Sequence, residues 1–254
     1  MNTLFHIYGP FAVHSYGLAI AIGLIAFTFL VKKDPRFARL HLANKFTEIL
    51  LVGIIVAMIG GRLLFLASNP DYFTTPLDLI TFWQPGFSIL GCIIALLLIL
   101  PWYLMMIEVP IINFLDLIAI YAPLLQSISR TGCFFAGCCF GMPTTRPWGV
   151  IYTDTGSVAP LYVCLHPTQL YSAVILLFTF ALMYFILQRI LTKPGQLLTT
   201  YLMLISAGRF IVDFWRGDRN ELSMLPQFFS LNQYIAAAIF IGALGGFIWS
   251  SNRK

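Results

Sequence analysis

Long apolar runs separated by short polar breaks dominate the chain. A helix needs about 20 apolar residues to cross a hydrocarbon core of roughly 30 Å. Seven runs reach that length, near residues 11–31, 46–68, 86–107, 110–129, 167–188, 197–215 and 228–250. The pattern therefore predicts an all-α integral membrane protein with about seven transmembrane helices.

Composition supports this prediction. Of the 254 residues, 59% are hydrophobic and 10% are charged, whereas about a quarter of the residues of a typical soluble domain are charged. A soluble fold could not bury so much apolar surface, so we expect a single polytopic membrane domain over residues 1–254, with no nucleic-acid partner. The first run lacks a basic segment before it, and we expect it to be a retained span.

The basic residues predict the orientation, because cytoplasmic loops are enriched in lysine and arginine. Alternate loops contain nine of the fifteen, namely Lys32, Lys33, Arg36, Arg39, Lys45, Arg189, Lys193, Arg253 and Lys254. With seven spans, this distribution places the N-terminus outside and the C-terminus in the cytoplasm.

The other six basic residues are all arginines, and all fall in the predicted outer half of the protein. They are Arg62, Arg130, Arg146, Arg209, Arg216 and Arg219. An arginine within a span costs about 2.5–3.5 kcal/mol on insertion scales, so it usually faces a bundle interior or a cavity. One interpretation is structural ion pairing, with Asp213 as the partner of Arg209 or Arg216. The other is a cluster of guanidinium groups that binds a lipid phosphate.

The segment 127–150 combines glycines, cysteines and arginines. Gly132, Gly137 and Gly141 predict that the preceding helix has already ended and that irregular backbone lines a site. Three cysteines, Cys133, Cys138 and Cys139, lie in the same stretch. Further polar groups occur at His166-Pro167-Thr168-Gln169-Leu170-Tyr171 and from Gly208 to Asp218.

These blocks together resemble the prolipoprotein diacylglyceryl transferase family. The resemblance covers nearly the whole chain and rests on blocks in a fixed order: His14-Ser15-Tyr16-Gly17-Leu18, Gly61-Arg62-Leu63, residues 86–91, Arg130-Thr131-Gly132, Pro147-Trp148-Gly149-Val150, the His166 block, Arg209-Phe210 with Asp213, Phe214 and Arg216, and Leu222-Ser223-Met224 before Gln227.

The resemblance implies an enzyme of the bacterial inner membrane with its active side facing the periplasm or exterior. It would move a diacylglyceryl group from phosphatidylglycerol to a cysteine of a lipoprotein precursor and release glycerol phosphate. The implied catalytic residues include Arg130, Arg209 and Tyr16. Substrate binding would involve Arg62, Arg130, Arg209, Arg216, Gly141 and Gln169.

The chain departs from the family at four positions that matter for chemistry. Leu90 replaces the family histidine proposed as a base, and Ile205 replaces an essential tyrosine. Cys133 and Cys138 replace an asparagine and a glutamate, which makes both candidate catalytic residues. His166 is the leading substitute base, with His14 a weaker candidate. The alternative for His166 is an ordinary helix cap.

The three clustered cysteines admit several interpretations. In the first, they are small hydrophobic residues buried in the bundle. In the second, they form a redox or acyl-accepting thiol site beside Arg130. In the third, one of them forms a disulfide with Cys164 on the outer side. Zinc is least favoured, because the spacing is loose and no second Cys or His pair follows, so we expect neither metal nor cofactor. Two functions stay open: a transferase, acting on a lipoprotein precursor or as a diverged paralogue on another thiol acceptor, and a non-catalytic protein that binds anionic phospholipid.

Overall fold

The computed structural model describes residues 3–8, 11–70, 86–218 and 229–252. It contains two compact units, one formed by Met1–Lys33 with Leu115–Lys254 and the other by Asp34–Phe114. The expectation of a single membrane domain stays a prediction.

The first unit contains the helices and short strands that build the candidate site. The elements of this unit are β1 (Thr3–Tyr8), β2 (Phe11–His14), α1 (Ser15–Lys33), α5 (Ile111–Ala136), β3 (Val150–Ile151), β4 (Cys164–Leu165), α6 (Thr168–Ala181), a π-helical turn (Leu182–Leu187), α7 (Gln188–Ile190), α8 (Gln196–Asp213) and α9 (Leu231–Asn252). Helix α5 begins just before the unit and lies almost wholly within it. Strand β1 pairs antiparallel with β2, and β3 pairs antiparallel with β4.

A buried carboxylate fixes the start of α8. Asp116 of α5 accepts hydrogen bonds from the amides of Gly195 (2.6 Å) and Leu198 (2.8 Å). These amides lie at the helix start, where backbone donors lack helical partners and the helix dipole favours negative charge. Asp116 therefore contributes to the packing of α5 and α8 at the end of α8 that is distant from Arg209.

The second unit consists of α2 (Pro35–Arg39), α3 (Phe46–Ser68) and α4 (Ile89–Met106). Helices α3 and α4 approach closely at Gly60 and Gly91, where a Cβ added to Gly60 would lie 2.6 Å from the Gly91 carbonyl oxygen. Small residues at such crossings bring the backbones of membrane helices together.

Among the described residues, five helical segments are long and apolar enough to cross a membrane, namely Ser15–Lys33, Phe46–Ser68, Ile111–Ala136, Thr168–Ile190 and Leu231–Asn252. These segments agree with the prediction of a helical integral membrane protein. Helices α4 and α8 coincide with the other two predicted spans, but α4 is a shorter apolar helix and α8 contains Arg209 and Asp213. The count of seven and the orientation stay predictions.

Two predicted boundaries are wrong. The first span begins at Ser15, not at residue 11, because residues 11–14 form strand β2. The fourth span does not end near 129, since α5 continues to Ala136. Gly132 is thus inside the helix, where it serves packing: an added Cβ would lie 2.7 Å from the Ala19 Cβ and 3.2 Å from the Tyr16 Cα of α1. Only the part of the segment from Gly137 onward is irregular.

Candidate active site

Backbone hydrogen bonds bring three distant segments together beyond the end of α5. The Gly141 amide donates to the His166 carbonyl (3.0 Å), just before α6. The Met142 amide donates to the Trp215 carbonyl (2.8 Å), just after α8, and the Gly217 amide donates to the Phe140 carbonyl (3.0 Å). The loop after α5 is therefore fixed between the start of α6 and the end of α8.

Gly141 makes this junction possible. A Cβ at this position would lie 2.4 Å from the carbonyl oxygen of His166 and 2.9 Å from that of Trp215. A side chain would force the segments apart, so the described role of Gly141 is close backbone packing. Its predicted part in substrate binding stays a prediction.

Three arginines from different segments meet at this junction. Arg130 lies in the last two turns of α5, Arg209 in the last turns of α8, and Arg216 in the segment that follows. The charges of Arg130 and Arg216 both act on the Arg209 guanidinium. The three charges are therefore close enough to influence one another, and the predicted role of Arg130, Arg209 and Arg216 in binding substrate stays a prediction.

The carboxylates near these arginines are unevenly distributed. Arg216 forms a bidentate ion pair with Asp218, with contacts of 2.8 and 2.5 Å. Buried Asp213 lies 3.9 Å from both Arg209 and Arg216. Within the described residues, no carboxylate forms an ion pair with Arg130. The ion-pair interpretation therefore fits Arg216, and it fits Arg209 only at long range.

The three neighbouring cysteines form one cluster. The sulfur atoms of Cys133, Cys138 and Cys139 all lie within 4.8 Å of one another, and these residues are called the thiol cluster below. Cys133 is buried in α5, and the other two are half-buried in the turn after it. Gly137 (φ 69°) and Cys139 (φ 59°) both adopt the left-handed conformation, which is costly for a non-glycine residue. This turn reverses the chain and returns the later sulfurs toward Cys133.

All five cysteines of the chain are free thiols. The suggested disulfide with Cys164 is therefore not formed in this structure. Cys164 lies instead beside Gly149, where an added Cβ would be 2.3 Å from its sulfur.

Two buried side chains from the start of α6 hold the turn of the thiol cluster. The Thr168 hydroxyl donates to the Cys139 carbonyl (2.8 Å), and the Gln169 side-chain amide donates to the Cys138 carbonyl (2.8 Å). The same amide of Gln169, which is 1% exposed, also donates to the Tyr152 hydroxyl at 3.3 Å. Gln169 was predicted to bind substrate, and its described contacts give it a positioning role.

The cluster contains one acidified thiol. The pKa of Cys139 is lowered because the thiols of Cys133 and Cys138 hydrogen-bond to it, and the nearby charges of Arg216 and Arg130 act in the same direction against the effect of burial. The pKa of Cys138 is raised by its hydrogen bonds to Cys133 and Cys139 and by burial. Cys139 is therefore the member most readily present as a thiolate.

His166 takes part in an aromatic network. Its Nδ1 atom lies 3.0 Å from the Tyr171 hydroxyl, which also accepts a hydrogen bond from the Trp148 indole (2.8 Å). The N-cap position of α6 is occupied by Pro167, and the described contact of the His166 ring is with the Tyr171 side chain. The described contact thus differs from a helix cap, and a role of His166 as a base stays a prediction.

Tyr16 occupies the first turn of α1 next to α5, where Cys133, Cys138 and Arg130 all interact electrostatically with it. Arg62 belongs to the second unit, is buried, and donates to the Gly86 carbonyl at 3.0 Å. Its share in substrate binding stays a prediction. Arg146 is exposed, with its guanidinium carbon 5.9 Å from the Trp148 ring centre.

Several predicted features lie outside the described residues. These are Arg219, the motif Leu222-Ser223-Met224 with Gln227, the basic residues Arg253 and Lys254, and the side chain of His14.

Sequence reasoning did not assign roles to Thr168 and Asp218. Thr168 directly follows a proline at a helix start. A threonine at such a position can use its hydroxyl to form a hydrogen bond with a neighbouring loop, and this was the available signal. Asp218, two residues after Arg216, follows a helix end, so no periodic pattern pairs the two side chains before the turn is known.

Comparisons with known proteins give one consistent family for this chain. The family model described as prolipoprotein diacylglyceryl transferase matches residues 2–249. A Clostridium tetani protein named phosphatidylglycerol–prolipoprotein diacylglyceryl transferase is 33% identical over 254 residues, covering 99% of this chain and 97% of the relative. A Bordetella avium protein of the same name is 30% identical, covering 97% and 93%. A Clostridium perfringens protein, whose name adds the number 2, is 31% identical, covering 91% and 89%.

The resemblance found in the motifs is thus confirmed over nearly the full length, and this membrane protein belongs to the prolipoprotein diacylglyceryl transferase family.

Proposed function

We propose that this chain transfers the diacylglyceryl group of phosphatidylglycerol to a cysteine thiol and releases glycerol phosphate. The names of its relatives specify phosphatidylglycerol and a prolipoprotein as substrates. Arg130, Arg209 and Tyr16, which the family resemblance marks as catalytic, are all present. The acceptor is a lipoprotein precursor or, in a diverged paralogue, another thiol.

The observation that carries the proposal is the meeting of Arg130, Arg209 and Arg216. Arg216 is matched by Asp218, whereas Arg130 has no ion pair among the described residues. Guanidinium groups suit phosphate because their planar N–H donors bind two oxygens at once. A phospholipid phosphate supplies the negative charge that this group of arginines would bind.

The same arginines would assist the chemistry. The acceptor sulfur attacks the glyceryl carbon next to the phosphate, the carbon–oxygen bond breaks, and glycerol phosphate leaves with the bonding electrons. Charge therefore grows on the leaving phosphate as the bond breaks. Arg130 and Arg209 would stabilise that charge, an effect worth roughly 2.7–4 kcal/mol per donor in comparable sites.

The second candidate is binding of anionic phospholipid without turnover. Leu90, at the start of α4, replaces the family histidine and has no titratable group. A free thiol has a pKa near 8.5, so most of it is protonated at neutral pH. Without a substitute for that base, the arginines would bind lipid but the acceptor thiol would stay unreactive.

The proposed active side is the outer face of the bacterial inner membrane. Lys193 precedes α8, which begins at Gln196, and Arg209 lies near the other end of this helix. At roughly 1.5 Å per residue, the rise along the helix from Gln196 to Arg209 is about 20 Å. Lys32 and Lys33 likewise lie at the end of α1 opposite Tyr16. This separation of basic loops from the arginines favours a cytoplasmic side and an opposite, active side.

The test uses the purified full chain in detergent, mixed with phosphatidylglycerol and a peptide containing a lipobox cysteine. We expect release of glycerol phosphate and a peptide mass increased by one diacylglyceryl group. The Clostridium tetani relative serves as the active control, and a peptide with serine in place of cysteine serves as the acceptor control.

The two candidates predict different outcomes. Release that depends on the peptide thiol supports the transferase. Saturable binding of phosphatidylglycerol without release, beside an active control, supports the binding protein. Absence of both binding and release would contradict both.

A further inference from the structure

The thiol cluster has the geometry of a metal site with three ligands. In tetrahedral zinc sites the Zn–S distance is about 2.3 Å, which places neighbouring sulfurs about 3.8 Å apart. The sulfurs of Cys133, Cys138 and Cys139 lie within 4.8 Å of one another, so small side-chain rotations bring them to that spacing. No fourth cysteine, histidine or carboxylate ligand joins the group among the residues that the structure describes.

We infer that the thiol cluster binds one zinc ion through three thiolates and leaves the fourth position for the acceptor thiol. The irregular spacing along the sequence disfavours zinc. The turn at Gly137 and Cys139 removes that objection, because it brings the two later sulfurs next to Cys133 in space. Thiolate ligands select zinc or copper(I) over magnesium and calcium, and tetrahedral sites rich in sulfur are typical of zinc.

The backbone around the cluster is preorganised for a metal. The carbonyls of Cys138 and Cys139 are held by the buried side chains of Gln169 and Thr168. Metal sites depend on such outer contacts, because they fix the direction of the ligands before the ion arrives.

The charge of the surroundings also suits a zinc ion with three thiolates. Such a centre carries a net charge of −1, and the guanidinium groups of Arg130 and Arg216 act electrostatically on Cys139. Structural burial of an uncompensated anion would be costly. The arginines therefore stabilise the loaded site, and the half-burial of Cys138 and Cys139 leaves a path for a fourth ligand.

The inferred ion would replace the base that the chain lacks because Leu90 stands in place of the family histidine. This part of the inference rests on the proposed transferase function. A thiol that coordinates zinc is deprotonated outright. The acceptor thiol would lose its proton to solvent on binding, and its sulfur would then form a bond to the glyceryl carbon. Glycerol phosphate leaves with the electrons of the broken carbon–oxygen bond, and the neutral thioether, a weaker ligand, dissociates.

The metal is tested without lipid or acceptor. The full chain, purified in detergent and treated with a chelator, is titrated with Zn²⁺ or with Co²⁺. We expect one zinc per chain by elemental analysis, and for Co²⁺ an absorption from sulfur ligands with the visible bands of tetrahedral geometry. Adding a lipobox peptide should change the cobalt spectrum, whereas the serine peptide should not.

Matched variants locate the ligands. Cys133→Ser, Cys138→Ser and Cys139→Ser should each weaken zinc binding at least tenfold, whereas Cys92→Ser and Cys164→Ser should bind zinc as the natural chain does. Thermal unfolding of the metal-free variants identifies those that fail to fold. The cobalt spectrum of the natural chain, with its sulfur-to-metal absorption, tests the proposal even if every cluster variant misfolds.

Failure of the metal site and failure of the transferase give different results. A chain that binds no zinc, binds only copper(I), or retains zinc when all three cluster cysteines are serine overturns the metal inference. If the chelator does not change the rate of diacylglyceryl transfer, the inferred catalytic role of the metal is overturned, but the proposed transferase function is not. Zinc binding with no transfer from phosphatidylglycerol contradicts the proposed function and preserves the metal site.

Discussion

Replacing Gly141 by alanine tests whether the junction of three segments sets the arrangement of the arginines. The new methyl group would lie 2.4 Å from the His166 carbonyl oxygen and 2.9 Å from that of Trp215. Ordinary contact begins near 3.4 Å, so the nearer segment has to retreat by about 1 Å. Both neighbours are backbone atoms, which cannot rotate away as a flexible side chain can.

The magnitude follows from these distances. Overpacking of this kind costs about 1–3 kcal/mol. Displacement also weakens the hydrogen bonds from Gly141 and Met142, at about 1 kcal/mol each. The expected loss of about 3–5 kcal/mol lowers Tm by roughly 10 °C in a chain of this size. A shift of about 1 Å between catalytic groups costs about 100-fold in turnover.

The assay combines thermal unfolding in detergent with release of glycerol phosphate. Gly245→Ala is the matched control, because Gly245 is an exposed residue of α9 with no atom within 4 Å of an added Cβ. In a helix this change should be neutral or should stabilise by up to about 1 kcal/mol. If Gly141→Ala unfolds and turns over like Gly245→Ala, the junction does not set the site.

Three further predictions concern the arginines, the thiol cluster and the packing of α8. Arg130→Ala should reduce turnover at least about 100-fold. Arg146→Ala, at an exposed position, should change turnover by no more than about fivefold. If both variants keep the same turnover, Arg130 does not bind the lipid phosphate. After treatment with a chelator, a membrane-impermeant maleimide applied from the predicted outer side should label at least one cysteine of the thiol cluster; protection of all three would assign them to the core. Asp116→Ala should destabilise the chain by about 2–5 kcal/mol, because two amides at the start of α8 lose their acceptor. Asp154→Ala, in an exposed turn, should cost about 1 kcal/mol, and equal unfolding temperatures would contradict the role of Asp116.

The positions of Leu90 and of the thiol cluster show how the chain differs from the family pattern. The resemblance alone marks Cys133 and Cys138 as replacements of polar residues. In the structure the sulfurs of both residues lie within 4.8 Å of each other and of the Cys139 sulfur, and the charges of Arg130 and Arg216 act on Cys139. The replacements at Cys133 and Cys138 are thus neighbours in space.

The sequence by itself determined the features that depend on local composition. Apolar runs identify membrane helices because lipid tolerates few charges and no unpaired backbone, and ordered motifs identify the family. The positions of the glycines in the sequence did not distinguish a turn from a contact between helices. Gly137 adopts a left-handed conformation in a turn, whereas Gly132 lies within α5 and allows α1 to pack closely against it.

Only the tertiary structure decided which polar groups meet. Arg130, Cys139, Thr168 and Arg216 come from separate segments, and their contacts depend on the path of the loop after α5 rather than on any periodic spacing. Helical periodicity relates residues within one helix. It therefore predicts that Asp213 lies near Arg209, but it cannot predict that three sulfurs lie together across a turn. That turn depends on two left-handed residues and on hydrogen bonds from α6, which exist only once the helices have packed.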